Sequence, residues 1–468
     1  MTRFPPDRLL RSAHLWVLLG FLVLLVLTGG GARADIPALM VLRPAAALAL
    51  GFGLWFLTPE EARRYRFLLA YVAAVALVVA IQLVPLPPAI WQALPGRAIV
   101  VDVDRAAGLP ALWRPISLVS YQTWNALFSL LVPASVLVLC IGVGREQRFL
   151  VLPLLIGMGV LGGVLGLMQV IGPPDGPLYF YRITNNGSAV GLFANRNHQA
   201  IYLACLFPML AVYAASAPAG LTLAHRRTRF WLCVGAGLLF LPLLLVTGSR
   251  LGLIVGLIGL ASIPFLYAPQ PDRSASSRSS RRWWYAAGGI AVVALGAFTV
   301  FASRGIAVQR LLAGNVGDDA RVPLWQTSMT MLGKYFPFGS GFGSFADVYP
   351  IDEPDWALRP TYGNHAHNEL LEVALTGGIL GIALMLVAVL AWAVASWRVF
   401  RRPLREGQDV AFGRLASVLM LIFGVASVTD YPLRTPFLAG VLAISAVWLC
   451  AGAYPSSRNP SKAAYRAR

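Results

Sequence analysis

A chain of 468 residues with 57% hydrophobic and only 12% charged side chains has too few charges to clothe a soluble globule of that size. Its formal net charge of +18 raises nucleic acid as a partner, yet no nucleic-acid module is visible and the basic residues sit in short loops between apolar runs. These runs of about 17–25 residues are each long enough to cross a hydrocarbon core of about 30 Å as a helix, which marks an integral membrane protein.

In chain order, the basic start MTRFPPDRLLR leads into a first apolar run at Ser12–Thr28. No convincing small-x-small cleavage site accompanies it, so a span is expected there and not a signal peptide. Spans two and three are expected at about 37–57 and 67–84, separated by EEARRYR. A Pro- and Trp-rich connection over 85–123 carries the DxD pair Asp102 and Asp104. Spans four and five, about 125–143 and 149–171, flank GREQR, and the loop over 172–197 runs into FANRNH. Span six covers about 199–216; spans seven and eight, about 230–246 and 251–267, are split only by TGSR. A Ser- and Arg-rich linker precedes span nine at 283–302, and the largest loop, 303–366, leads to span ten at about 370–394. Spans eleven and twelve, about 411–428 and 436–452, are joined by the tight turn DYPLRTP. The expectation is an all-α polytopic protein, a single integral membrane domain over 1–468 with about twelve transmembrane helices. Short amphipathic helices are expected in the 303–366 loop, where Trp325, Met329 and Leu332 recur at helical spacing and could lie along the membrane surface.

Alternating the loops across the membrane puts 24 of the 38 Lys and Arg, but only 7 of the 20 Asp and Glu, on the side of the N-terminus. The other side keeps 14 basic against 13 acidic residues, so nearly all of the net charge lies on one face. This positive-inside pattern predicts both termini in the cytoplasm. FANRNH, TGSR, the 303–366 loop, the HAHN stretch and the TDYP turn then all fall on the outer face, while the inner loops are short basic connectors. The absence of a P-loop or a well-placed GxGxxG argues against a nucleotide-driven transporter. Cys140, Cys205, Cys233 and Cys450 lie within apolar runs without paired spacing and are expected to pack, not to form disulfides or a metal site.

Candidate chemistry gathers at Tyr362–Gly381, YGNHAHNELLEVALTGGILG, where a polar segment runs into an apolar helix. His365 or His367 could serve as a general base for a hydroxyl nucleophile, since imidazole takes a proton near neutral pH. HxH is also a metal-ligand spacing that His198 or Glu369 could extend. Glu369 and Glu372 share a helical face and could orient a histidine or simply favour the helix dipole. Arg250, in a tight turn between two spans, either snorkels to lipid headgroups or meets an anion together with the positive end of the following helix. Arg321 is an ordinary surface arginine or a second anion ligand. Gly339, Gly341 and Gly343 make a flexible loop, a weak signal for a phosphate cradle. Asp430, at the outer end of span eleven, could pair with Arg or His. The DxD pair is a weak metal signal.

The ordered set GLFANRNHQA, TGSR, RVPLW with PFGSGFGSF, and HAHNELLEVALTGGILG resembles the O-antigen ligase and O-antigen polymerase family of bacterial inner-membrane glycosyltransferases. The resemblance covers roughly 191–381. It implies a GT-C-like helical bundle with a large periplasmic loop, acting at the periplasmic face of the inner membrane on glycans linked to undecaprenyl pyrophosphate, with no metal or other cofactor. By matching motif positions, Arg250 and Arg321 would hold the pyrophosphate, with Arg196 of FANRNH beside them. His367 would activate the acceptor hydroxyl, with His365 as the second candidate, and Asn368, Glu369 and Asp430 would support it. The acceptor would be a lipid A-core sugar or another glycan, and transfer would invert the anomeric centre. Two readings from other classes remain: a transporter or flippase of lipid-linked or anionic solutes, and a metal-dependent membrane transferase.

Overall fold

The computed structural model describes residues 6–109, 112–216, 222–267, 321–358 and 363–455. These fold almost wholly as α-helix, because a helix pairs the backbone N–H and C=O groups of an apolar run within one segment, which lipid cannot do. In chain order the helices are α1 (Pro6–Thr28), α2 (Leu39–Trp55), α3 (Pro59–Arg64), α4 (Arg66–Ile81), α5 (Pro88–Trp91), α6 (Ala98–Ala106), α7 (Ser120–Ser129), α8 (Leu131–Gly142), α9 (Val151–Ile171), α10 (Arg196–Ala215), α11 (Leu223–Val246) and α12 (Arg250–Leu266). After residues 268–320 come α13 (Arg321–Tyr335), α14 (Phe345–Asp352), α15 (Glu369–Phe400), α16 (Gln408–Ala426) and α17 (Pro436–Ala453). The sheet among the described residues is a clip of two-residue strands, β1 (Pro85–Leu86) antiparallel to β2 (Arg114–Pro115), with Pro85 opposite Pro115.

Seven helical segments among the described residues are long and apolar enough to cross a membrane: Ser120–Gly142, Arg148–Ile171, α10, α11, α15, α16 and α17. Four shorter apolar helices, Ser12–Thr28, α2, α4 and α12, accompany them. The architecture is all-α and multi-pass. The span expected at 283–302, and with it a count of twelve, lies outside the described residues. The run expected as a span over 125–143 falls within Ser120–Gly142, where α7 passes into α8 at Leu130.

α10 is the centre of the bundle, with residues 200–206 at most 1% exposed. It packs most closely on α12, where small residues let the backbones approach: a Cβ added to Gly252 would lie 2.4 Å from Ala200 Cβ. α13 buries Leu324, Met331 and Tyr335 in a second cluster with Phe345, Tyr349 and Leu375. On the stripe read from the sequence, Met329 is 58% exposed.

α15 is 32 residues long and broken at Gly378, where φ is +58° and ψ −150°. The PFGSGF loop docks onto that break. Ser340 N–H donates to Leu375 O at 3.1 Å, Gly341 N–H to Thr376 O at 3.0 Å, and Ile379 N–H to Pro337 O at 2.8 Å. Gln82, which ends α4, closes the join, donating from Nε2 to Thr376 O at 3.0 Å and accepting from Phe342 N–H at 2.8 Å. The backbone donors of 339–342 are therefore all spent inside the protein, and the loop is a docking segment instead of a phosphate cradle. By bracing the break it fixes the first turns of α15, and so the stretch that carries both candidate histidines.

Candidate active site

Three helix starts and one turn meet at the same end of the bundle. Each start is capped by the residue type its sequence supplies. Asn195 accepts from Asn197 N–H at 2.8 Å to open α10, Ser249 from Gly252 N–H at 2.9 Å to open α12, and Asn368 from Leu371 N–H at 3.0 Å to open α15. The turn is Ser427–Thr435, between α16 and α17.

Asp430, in that turn and fully buried, is where the segments converge. Asn197 Nδ2 donates to its Oδ2 at 2.5 Å, and the Tyr431 N–H to its Oδ1 at 2.8 Å. At longer range, His198 Nε2 lies 3.7 Å and His367 Nδ1 3.8 Å from Oδ1, and Arg321 Nη2 lies 3.9 Å from Oδ2. Both imidazole nitrogens are buried and neither makes a hydrogen bond, so their contact with Asp430 is electrostatic. The far ring nitrogen of His198, Nδ1, is 2.7 Å from Thr435 Oγ1. Ser249 Oγ donates to Asn197 Oδ1 at 2.8 Å, so the TGSR turn joins the same network.

His367 reaches Asp430 through an unusual backbone. Its φ of +49° is the one positive value outside glycine among the described residues. Such a conformation costs about 1–2 kcal/mol in an L-residue and persists where the surroundings over-determine it. Here Asn368 caps α15 immediately behind it, while Trp325 Nε1 donates to Ala366 O at 2.8 Å in front.

His365 is held separately. Its Nδ1 lies 3.0 Å from Glu372 Oε1, which also lies 3.0 Å from Arg434 Nη2, and Glu372 Oε2 accepts from Ala366 N–H at 2.9 Å. One buried carboxylate in the first turn of α15 thus staples the HAH backbone to its own helix. The Tyr431 ring ties the two arrangements together, with centroids 4.4 Å from His365, 4.8 Å from His367 and 5.3 Å from His198.

Of the residues singled out in the sequence, His367, His198 and Arg321 lie within 4 Å of the Asp430 carboxylate, and His365 joins them through Tyr431. Asn368 acts as a cap. Glu369 turns the other way: its Oε2 accepts from Ser427 Oγ at 2.7 Å and its N–H donates to Ser427 O at 2.9 Å, which pins α15 to α16. The carboxylate on a histidine is Glu372. Arg250 is the exposed first residue of α12, next to Ser249, and Arg196 the half-buried first residue of α10, two residues before His198. Asn197, Tyr431 and Arg434 were not singled out; their signal was only that FANRNH and TDYPLRTP are polar strings at span ends. The DxD pair is divided, since Asp104 is buried against Arg114 while exposed Asp102 pairs with Arg105 at 3.1 Å. Among the described residues, no group of three or more His, Cys, Asp or Glu is arranged to hold a metal ion.

The electrostatics separate the roles. Burial lowers the His367 pKa below its usual 6.5, and the Asp430 charge partly offsets that, so at neutral pH the ring is chiefly a free base. Burial pushes the Asp430 carboxyl up, but the nearby His198 and His367 and the Tyr431 N–H outweigh it and hold it well below the usual carboxylate range. Burial and the Asp430 charge push the Tyr431 phenol up to about 12, so it stays neutral. A neutral imidazole 3.8 Å from an ionised carboxylate can take a proton from one group, while the guanidinium near the same carboxylate can balance negative charge on another.

No curated protein matches the chain. Residues 235–386, which contain Arg250, Arg321, His365 and His367, match the family model described as O-antigen ligase. That segment, about a third of the chain, is where it is similar to the O-antigen ligase family.

Proposed function

We propose that the protein transfers a glycan from a polyprenyl pyrophosphate to a sugar hydroxyl, and that the convergence of His367, Arg321 and Asp430 is its catalytic centre. The observation that carries this reading is the placement of His367 Nδ1 3.8 Å from the Asp430 carboxylate that Arg321 also faces. Asp430 orients the imidazole, whose other ring nitrogen takes the proton of the acceptor hydroxyl. The acceptor oxygen then forms a bond to the anomeric carbon from the face opposite the leaving group, while the bond from that carbon to the pyrophosphate oxygen breaks. Negative charge builds on the departing pyrophosphate, and Arg321 with Arg250 at the rim balances it; fixed guanidiniums in a partly dry site are worth far more than in water. Arg196, the first residue of α10, is proposed as a further pyrophosphate ligand. The acid–base and charge-balancing groups are all supplied by side chains, so the transfer is proposed to be metal-independent and inverting. The basic loops predict that this end faces the periplasm of a bacterial inner membrane, with both termini in the cytoplasm. The acceptor, a lipid A-core sugar or a growing polysaccharide, decides between ligase and polymerase.

The test is transfer of an undecaprenyl-pyrophosphate oligosaccharide by purified protein in liposomes, with wild type compared with His367→Gln and Arg321→Ala, each with and without chelator. Wild-type transfer that survives chelator and is lost in both folded variants supports the reading, and the acceptor that gains sugar names the branch. Near-normal turnover in His367→Gln overturns the base assignment, and loss of wild-type activity to chelator overturns metal independence.

A further inference from the structure

The connection between α4 and α7, which holds the DxD pair, carries an exposed apolar face. On α6, Ile99, Val103 and Ala106 recur at helical spacing and are all exposed, Val103 at 61%. Asp102 and Arg105 lie on the neighbouring strip and pair with each other at 3.1 Å. Beyond α6, Trp113 is 63% exposed, and Leu109 and Leu112 are exposed near it in the chain. The helix thus has three sides: one buried, one apolar and exposed, one charged and exposed.

The buried side fixes how α6 is rolled. Asp104 on that side accepts from Arg114 Nε, in β2, at 2.7 Å. Arg97, buried just before α6, donates to Ile116 O beyond β2 and to Gly339 O at 3.1 Å. The same ties fix the height of α6 on the bundle. Ser117 N–H donates to Gln82 O at 3.0 Å, where the apolar run of α4 ends, and Gln82 reaches Thr376 O, just before the exposed Ile379 and Leu380 of α15. Arg114 is three residues from Ser117, so at about 3.3 Å per extended residue α6 is held within about 10 Å of the ends of both apolar runs. That is the scale of the polar layer of a bilayer, roughly 5–8 Å deep on each side of the hydrocarbon core. On α7, which follows, Tyr121 and Trp124 are exposed at the start of the span Ser120–Gly142, and such rings collect where a membrane meets water.

We propose that α6 lies in the membrane surface, with its Ile99, Val103 and Ala106 face and Trp113 in lipid and its Asp102 and Arg105 strip in water. An apolar face beside a charged one, at headgroup depth, is how a helix lies in the plane of the interface. The partner is lipid because the face is continuous, in chain and in height, with the exposed Ile81, Val84 and Trp124 at the ends of α4 and α7, which a membrane-crossing bundle turns to lipid. In this position α6 anchors to the bilayer the same clip that, through Gln82, braces the break in α15. The assignment is independent of the reaction proposed for the histidine centre.

Full-length protein in lipid nanodiscs is labelled with bimane in the variants Val103→Cys and Arg105→Cys. The chain without an added cysteine gives the background, since Cys140, Cys205 and Cys233 are buried. Both substitutions replace exposed side chains, so the unlabelled variants should unfold like wild type. Quenching is read with iodide in the water and with lipids that carry a nitroxide high on the acyl chain. The label at position 103 is expected to be quenched by the lipid nitroxide and roughly threefold less by iodide than the label at position 105, which should show the reverse order. A label at position 103 as open to iodide as that at 105 puts the face in water, and one sheltered from both quenchers puts protein over it. Either outcome, or equal lipid quenching at the two positions, overturns the assignment.

Discussion

Asn197 and Asp430 stand 233 positions apart in the chain and meet at 2.5 Å, amide to carboxylate. The same amide accepts from Ser249 at 2.8 Å, so three motifs from separate parts of the sequence share one side chain. Asn197 therefore fixes the carboxylate that faces His367, and the predictions below start from that carboxylate.

Asp430→Asn keeps the shape and removes the charge. The Asp430 charge opposes the effect of burial on His367, so removing it lowers the His367 pKa further. In wild type the transfer rate should fall as pH drops, with a midpoint below 6.5, because protonation there removes the base. In Asp430→Asn the midpoint should move to still lower pH while the plateau drops on the order of 100-fold, since orientation and stabilisation of the imidazolium are lost. A pH–rate profile of both proteins checks this. An upward shift would show that Asp430 does not act on His367.

Arg321 is proposed to meet charge that develops as the pyrophosphate leaves, so its loss should fall on turnover more than on substrate binding. Arg321→Ala is expected to lower kcat on the order of 100-fold. Arg321→Lys should recover only part of it, because a point charge replaces a planar fork. Steady-state kinetics with varied lipid-linked donor separates the two parameters, and a change confined to KM would make Arg321 a plain binding residue.

Glu372 is 1% exposed and holds His365, Arg434 and the Ala366 N–H at once. Glu372→Ala leaves a guanidinium and a backbone donor without their acceptor, and should destabilise the protein by roughly 3 kcal/mol. Glu372→Gln keeps acceptors for some of these contacts and should cost less. Chemical or thermal unfolding in detergent orders the three proteins.

Gly378 should tolerate nothing larger. A Cβ there would lie 2.1 Å from Pro337 O, and its φ of +58° disfavours any L side chain. Gly378→Ala is expected to lower the unfolding midpoint sharply and to reduce activity through the displaced start of α15. Gly235, inside α11 with open space around its Cα, is the control: Gly235→Ala should be neutral or stabilise by up to about 1 kcal/mol.

Much of the bundle was legible because apolar run length is a local property of sequence. The same holds for the motif ends: TGSR splits two apolar runs in the sequence, and Ser249 caps the helix that follows. What was not legible are the partnerships. Nothing local distinguishes Glu369 from Glu372, three residues apart on one helix face, yet one turns to Ser427 and the other to His365. Arg434 reads as an ordinary turn residue until the fold brings it beside Glu372. The glycines of PFGSGF suggested a phosphate cradle, since a loop with free donors and a loop docked on a broken helix share a composition. The break that decides between them lies about forty residues further on, at Gly378.

The left-handed backbone at His367 sets what the fold would choose against what the chemistry needs. Glycine occupies that torsion without strain, so His367→Gly should relax the HAHN turn by about 1 kcal/mol even as it removes the imidazole. On the proposed base assignment, the residue that relaxes this torsion is one that cannot take a proton. Drift towards a relaxed backbone at this position would then work against turnover, set against the packing the imidazole makes on the Tyr431 ring.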